Sequence, residues 1–249
     1  MFRKIVLLFA LISISASAKG WKALMVTGGC CHDYKKQKVI ISEALKKSDD
    51  VTTDIIHERN MNEMKNALSK KDWHKGYDFV IYNMCHAHEK DAAFIDSVTK
   101  VHHDGLPAIA LHCTMHSYHW KIKGEKSWTK FLGVVSPNHH KHKAIDVKTE
   151  MKAEDHPIMK GIPKTWKTPK GELYRINEVL DTATVLASGV IVDSKEGTKP
   201  TPTVWINKYG KGKIFGCSMG HHNETMESKP YLDMLSNAVK WLMEGKEKE

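Results

Sequence analysis

The chain has 249 residues, a formal net charge of +9, 16 histidines and five cysteines. This length allows one large domain or two small ones, and either can bury a hydrophobic core. The lysines are scattered, with no basic tract interleaved with aromatic residues, so the charge does not indicate a nucleic-acid-binding protein. The cysteine spacings are irregular and Cys30 directly precedes Cys31, so one disulfide bridge is compatible with the sequence but a disulfide scaffold is not.

The first 18 residues have the form of a secretory signal peptide. Two positive charges in "MFRK" precede the apolar run "IVLLFALISI", and Ala16 and Ala18 supply a small-x-small cleavage site. The apolar run is short for a membrane span, so a retained anchor is the less favoured alternative. We therefore expect residues 1–18 to be removed, leaving a periplasmic or secreted protein without a membrane anchor.

In the first half of the mature chain, apolar runs of strand length alternate with helical patterns. The patterns predict strands at 22–29, 51–58, 77–85 and 106–113, with helices between them at 35–48, 61–73 and 89–105. In the first helix, Val39, Ile40 and Leu45 are expected to share the apolar face. Such β-α alternation predicts a parallel sheet with helices on both faces.

After Trp120 the pattern loosens into loop-rich insertions that contain short strands such as 143–150. Regular elements return with a strand at 182–192, a hairpin over 201–222 that turns at "YGKG", and a closing helix at 231–245. No linker, low-complexity tract or repeat divides residues 19–249, so we expect a single domain with an elaborated middle third.

Histidines follow most of the predicted strands. The strand ends are followed, in chain order, by His32 with Asp33, His57 with Glu58, Asn83 with His86 and His88, His112, and finally His221. In open α/β sheets the carboxyl ends of the strands form the edge where ligands bind. Because histidines follow several strands, we expect them to meet at that edge in one binding site. Neutral imidazoles that converge there indicate a transition-metal site.

The turn after the fourth strand, "HCTMHSYHW", admits three interpretations. Cys113 could be a nucleophile at a strand-to-helix turn, although His112 and Thr114 flank it where a sharp elbow needs small residues. His112 and His116 are four residues apart, so on a helix they would share a face as a metal-ligating pair. An ordinary buried or polar turn is the third interpretation, and for Cys113 a buried thiol is favoured.

Seven segments between Trp21 and Leu242 match, in order, the motifs of one protein family. They are "ALMVTGGCCHDY" (23–34), "YDFVIYN" (77–83), "GLPAIALHC" (105–113), "FLGVVSPNHH" (131–140), "DHPIMKGIPKTW" (155–166), "GELYRI" (171–176) and "PTVWINKYGKGKIFGCSMGHHNET" (202–225). In these motifs the chain resembles the trehalose-utilisation (ThuA-like) proteins, which belong to the class I glutamine amidotransferase-like superfamily.

The resemblance implies a three-layer α/β/α fold with a mostly parallel, flavodoxin-like sheet. It also places His112 where amidotransferases carry their catalytic cysteine, so glutaminase activity is not expected. Members of the family are associated with trehalose and related glycosides. The resemblance therefore implies a small-molecule carbohydrate or keto-sugar as the partner of this chain, and the chain is compatible with a homo-oligomer.

The resemblance and the histidine pattern together give a set of expected site residues. A divalent metal, with zinc as the first candidate, is expected to be held by His32, His112, His140 (or His139) and His221. The expected catalytic residues are His112, Glu172 and Asp33. The expected substrate-binding residues are Asn83, Tyr174 and Trp120.

These expectations describe an exported, metal-assisted hydrolase, lyase or isomerase that acts on a sugar derivative. The alternative is a non-catalytic carbohydrate-binding or sensing module, in which tryptophans such as Trp120, Trp128, Trp166 and Trp205 would stack on sugar rings. Core packing is the favoured role for each of these tryptophans.

Overall fold

The computed structural model describes residues 20–118, 126–191 and 197–247. The predicted signal peptide at 1–18 lies outside these residues, and so does Trp120, which was expected to bind substrate. Within the described ranges, no helix is long and apolar enough to cross a membrane.

Across these described ranges, thirteen strands, numbered in chain order, form one large sheet and two small ladders. They are β1 (Trp21–Gly29), β2 (Val51–Glu58), β3 (Phe79–Cys85), β4 (Ala108–Leu111), β5 (Val134–Val135), β6 (Asn138–His142), β7 (Asp146–Thr149), β8 (Thr165–Lys167), β9 (Glu172–Arg175), β10 (Glu178–Val179), β11 (Ala183–Val190), β12 (Thr201–Tyr209) and β13 (Gly212–Cys217). The large sheet has the order β2-β1-β3-β4-β13-β12-β11-β7-β8. Its first five strands are parallel, and each of the remaining four is antiparallel to its neighbour.

Helices cover both faces of this sheet. They are α1 (Tyr34–Asp49), α2 (Met61–Leu68), α3 (Ala92–His103), α4 (Ser127–Leu132), α5 (Asn223–Met226) and α6 (Lys229–Leu242), with short 3-10 turns η1 (His112–His116), η2 (Met151–Ala153) and η3 (Pro157–Met159). Alternation along β1 sends Ala23 and Met25 into the core under α1 and α6, while Leu24 and Val26 pack under α2, α3 and α4. The predicted α/β fold of three layers is therefore confirmed.

Two details of the first half differ from the sequence prediction. In α1 the buried aliphatic residues are Ile41 and Leu45, whereas Val39 is 44% exposed, so the expected apolar face was partly wrong. The fourth strand ends at Leu111, two residues earlier than predicted, because the chain turns there into η1. This early turn places His112 at the rim rather than within the sheet.

The middle third is more ordered than the loop-rich prediction. Strands β7 and β8 extend the large sheet, while β6 and β9 pair with each other as a separate antiparallel ladder. In that ladder His139 lies opposite Tyr174 and His142 lies opposite Glu172, with a register shift between the two pairs. The ladder thus brings Glu172 to the same edge of the fold as the histidines of the sheet.

The predicted hairpin joins β12 to β13 and contains a tight fit that can be tested. Gly216 pairs with Trp205, whose fully buried indole Nε1 donates a hydrogen bond to the Leu132 carbonyl at 2.7 Å. A Cβ atom added at Gly216 would lie 2.2 Å from Cε2 of that ring.

Gly216→Ala is expected to lower the free energy of unfolding by about 3 kcal/mol, because the indole would have to shift in a packed core. Urea denaturation followed by tryptophan fluorescence measures the loss. Gly161→Ala is the control, since its Cβ would meet nothing within 4 Å and only the left-handed backbone at φ 77 is penalised, by about 1 kcal/mol. Equal losses in the two variants would contradict this account.

Candidate metal centre

Three of the histidines expected at the strand ends meet at the carboxyl edge of the sheet. His32 follows β1, His112 follows β4 and His221 follows β13. Their ring centroids are 4.8 Å apart for His32 and His112, 4.6 Å for His32 and His221, and 5.4 Å for His112 and His221. The structure therefore brings together three of the four expected metal ligands.

His112 is held in one orientation and one tautomer. It begins η1 with a left-handed backbone (φ 45), which is uncommon for a residue with a side chain. Its Nδ1 lies 2.7 Å from the Ser218 carbonyl oxygen, which can only accept a hydrogen bond, so Nδ1 carries the proton. The lone pair of Nε2 then faces Oε2 of Glu172 at a distance of 3.2 Å.

His32 and His221 complete the histidine group. Nε2 of His32 lies 3.0 Å from Nδ1 of His221, and Nδ1 of His32 lies 3.0 Å from the hydroxyl of Tyr34. Burial, together with the neighbouring His112 and His221, lowers the pKa of His32 to about 2. A neutral imidazole is the form that ligates metal ions.

Glu172 lies at the centre of the site and is only 4% exposed. Its Oε2 is 3.2 Å from both His112 Nε2 and His221 Nδ1, while its Oε1 is 3.1 Å from His139 Nδ1 and 2.8 Å from His142 Nε2. Burial by itself raises the pKa of Glu172, but the adjacent imidazoles of His112 and His221 outweigh it and hold the pKa below its usual range.

This donor set fits a transition-metal ion. One ligand atom from each of His32, His112, Glu172 and His221 lies within 4.8 Å of the others. Zinc–ligand bonds of about 2.0–2.1 Å in a tetrahedron separate neighbouring ligand atoms by roughly 3.3 Å. The ligand-atom separations of 3.0 Å and 3.2 Å in this group are close to that value.

The group opens onto a pocket of about 490 Å³, a volume typical of small-molecule sites. Tyr174 lines it, as expected for a substrate-binding residue, and its ring stacks on His116 with centroids 4.4 Å apart and planes 8° apart. His116 was a possible partner of His112, but Nε2 of His116 lies 2.9 Å from the Ser136 hydroxyl. The two histidines diverge because η1 is a 3-10 helix with about three residues per turn, in which positions i and i+4 do not align.

Three expected site residues lie elsewhere. Asp33 lies outside the histidine–glutamate group, and its carboxylate caps α1 through the Lys36 amide and accepts a hydrogen bond from Asn223. Asn83 does not line the pocket. It is buried and donates a hydrogen bond to Gln37, which in turn holds the carbonyls of Gly220 and His221.

Of His140 and its alternative His139, the structure places His139 against Glu172. His140 accepts a hydrogen bond from Arg175 at 3.3 Å, whereas its neighbours His139 and His142 contact Glu172. In a regular strand these two neighbours would point to opposite faces, but the register shift in the β6–β9 ladder places both on Glu172. The histidine cluster was visible in the sequence, but the shift was not.

The structure contains more cysteine pairs than the sequence predicted. The structure pairs Cys30 with Cys31 and Cys85 with Cys113, where at most one bridge was expected. Cys113 lines the pocket and is only 7% exposed. Cys217 is buried and has no partner cysteine among the residues described here.

The sequence profile of the ThuA family, described as trehalose utilisation, matches residues 22–242. The chain belongs to the ThuA family. No curated protein matches this sequence. This ThuA-family fold is similar to the crystal structure of a ThuA-like protein from Parabacteroides merdae, with 16% identity, a TM-score of 0.75, and coverage of 93% of this chain and 92% of that one.

A ThuA-like protein from Bacteroides uniformis is 20% identical, with a TM-score of 0.73 and coverage of 96% of this chain and 97% of that one. The β-galactosidase from Rahnella sp. R3 is 14% identical, with a TM-score of 0.58, and 90% of this chain covers 31% of that enzyme. At these identities the likeness shows the fold, which is consistent with the flavodoxin-like prediction.

Proposed function

We propose that this ThuA-family protein is an exported, metal-dependent enzyme that acts on a carbohydrate or keto-sugar derivative by hydrolysis, elimination or isomerisation. The description of the family and the likeness to a β-galactosidase support the carbohydrate class of the substrate. The arrangement of three imidazoles and one carboxylate supports the metal. Glutaminase chemistry is not proposed, because His112 stands where the amidotransferase nucleophile would lie.

One observation carries the proposal. Nε2 of His112 has its lone pair directed at Oε2 of Glu172, 3.2 Å away, since Nδ1 carries the proton. Within the described residues, this buried Nε2 makes no hydrogen bond of acceptable geometry. Two acceptors facing each other in a buried site repel unless a proton or a metal ion lies between them, and burial lowers the pKa of His112, which disfavours the proton. A metal ion held by His112 and Glu172 would supply the positive charge.

His32, His112, His221 and Glu172 would hold the ion, and Ser218 and Tyr34 would fix the outer nitrogens of two of these histidines. When bound, a divalent metal such as zinc polarises a carbonyl group or activates a water molecule. The sequence-based role of Glu172 as a proton-transfer group is thereby replaced by a ligand role.

His139 and His142 are suited to move the proton instead. Both rings contact Oε1 of Glu172, so they orient its carboxylate. Their side chains are 43% and 50% exposed, and an exposed imidazole can exchange protons with a bound molecule and with solvent. Tyr174 and His116, stacked face to face, line the pocket beside these groups and can contact a bound sugar at its wall.

The non-catalytic alternative relied on tryptophans stacking on sugars. Trp128 and Trp205 are fully buried in the core and do not line the pocket, which agrees with the expected packing role. These two tryptophans therefore do not support a non-catalytic sugar-binding module.

Metal removal tests the proposed function. Protein purified with its cysteine pairs oxidised is expected to contain about one transition-metal ion per chain, measured by elemental analysis. Chelation is expected to abolish turnover of a panel of glycosides and keto-sugars, and added zinc is expected to restore it. Full turnover by metal-free protein would contradict the mechanism, and binding of sugars without any turnover would favour the non-catalytic module.

A further inference from the structure

A second group of potential ligands lies beside the metal centre and belongs to four of the five cysteines. Cys30 and Cys31 follow β1, Cys85 ends β3, and Cys113 follows β4. These three strands are neighbours in the parallel part of the sheet, so their carboxyl ends meet. The fold therefore places four cysteines at the carboxyl edge of strands β1, β3 and β4.

The distances show how compact this group is. The structure joins Cys30 to Cys31 and Cys85 to Cys113, and the sulfur of Cys30 lies 3.7 Å from that of Cys85. The sulfurs of Cys30, Cys31 and Cys85 all lie within 4.8 Å of one another. All four cysteines line the same pocket as the histidines.

We propose that the reduced form of this cysteine cluster binds one thiophilic divalent cation through Cys30, Cys31 and Cys85, with Cys113 beside Cys85, at a site separate from the histidine–glutamate centre. A tetrahedral ion with metal–sulfur bonds of about 2.3 Å separates its sulfur ligands by roughly 3.8 Å, close to the distance between Cys30 and Cys85. Thiolates select zinc and softer cations, whereas imidazole and carboxylate ligands accept a wider range of metals. The two sites therefore differ in the metals that they prefer.

An external dithiol supplies the electrons and protons that reduce the two disulfides. Each disulfide takes two electrons and two protons from one dithiol, which becomes a disulfide, and two thiols form in the protein. The cation then displaces protons from the thiols to solvent as metal–sulfur bonds form. The reverse exchange, in which external disulfides accept these electrons and become dithiols, would release the ion, so occupancy depends on the redox state.

The cluster is joined to the histidine centre through one turn. His32 directly follows Cys31, and its Nδ1 lies 3.3 Å from the carbonyl oxygen of Cys30. Cys30 and Cys31 are exposed, while Cys85 and Cys113 are buried, so the cation would link a surface turn to the core. Such a link would fix the turn that positions His32.

Cadmium titration tests the proposal. Protein reduced with a phosphine under anaerobic conditions is expected to bind two Cd²⁺ per chain, whereas oxidised protein is expected to bind one. Only the reduced protein should develop the ultraviolet absorption band of cadmium–thiolate bonds. Absence of this band from the reduced wild-type protein would overturn the proposal.

Variants separate the two sites. Cys30→Ser, at an exposed position that does not endanger folding, is expected to weaken the cysteine site at least about tenfold and to reduce the band. Cys217→Ser is the matched control and should keep the band. His112→Ala should lose the other equivalent and keep the band, so failure of the histidine centre is distinguishable from failure of this site. An unchanged titration of Cys30→Ser would also overturn the proposal.

Discussion

Glu172→Gln is expected to lower the affinity of the protein for its metal by at least about 100-fold and to reduce sugar turnover to background. The amide keeps the size of the side chain but removes the negative charge that faces four imidazoles. The contacts at 3.2 Å with His112 and His221 would then lack the charge that balances a cation. Competition with a fluorescent chelator measures the affinity, and elemental analysis measures the metal content.

Asp33→Asn is the matched control, because it makes the same carboxylate-to-amide change at the same edge of the fold. Asparagine is as good a helix cap as aspartate, so α1 should remain stable. The variant is expected to keep its metal and its turnover. Loss of turnover in Asp33→Asn with the metal retained would reinstate the sequence-based catalytic role of Asp33 and contradict the structural one.

The second large effect is expected at His112. His112→Ala should abolish the stabilisation that the metal gives to the wild-type protein, which is about 2.7 kcal/mol when the free metal concentration is 100 times the dissociation constant. His112→Gln keeps a polar group at this buried position and guards against simple misfolding. Thermal unfolding with and without zinc, with the cysteines oxidised, measures the difference.

His116→Ala separates the two histidines of the same turn. His116 stacks on Tyr174 in the pocket wall, so its removal is expected to raise KM for the sugar and to leave the metal-dependent stabilisation intact. If His116→Ala loses the stabilisation and His112→Ala keeps it, the assignment of ligands in this turn is wrong.

The topology and its consequences were predictable from the sequence. Alternating strand and helix patterns gave the parallel sheet, and a parallel sheet places the residues after its strands on one edge. That rule is sufficient to bring His32, His112 and His221 together, because each lies in the segment that follows the carboxyl end of a strand. The same rule applies to Cys30, Cys85 and Cys113, so the cysteine cluster was equally accessible to sequence reasoning.

The remaining differences come from local geometry that periodicity does not encode. A register shift in the β6–β9 ladder, rather than any change of composition, places both His139 and His142 on Glu172, while His140 contacts Arg175. The 3-10 turn after β4 broke the helical alignment of His112 and His116. Asp33 is a different case, because an aspartate directly before a helical pattern is itself a capping signal.

The most direct test is an anomalous difference map from crystals of the oxidised protein grown with zinc and measured above the zinc absorption edge. A peak within about 2.0–2.2 Å of His112 Nε2 and a Glu172 carboxylate oxygen, with His32 and His221 completing the ligand set, is the predicted result. A map with no peak there, in which a direct hydrogen bond joins His112 to Glu172, would contradict the metal centre.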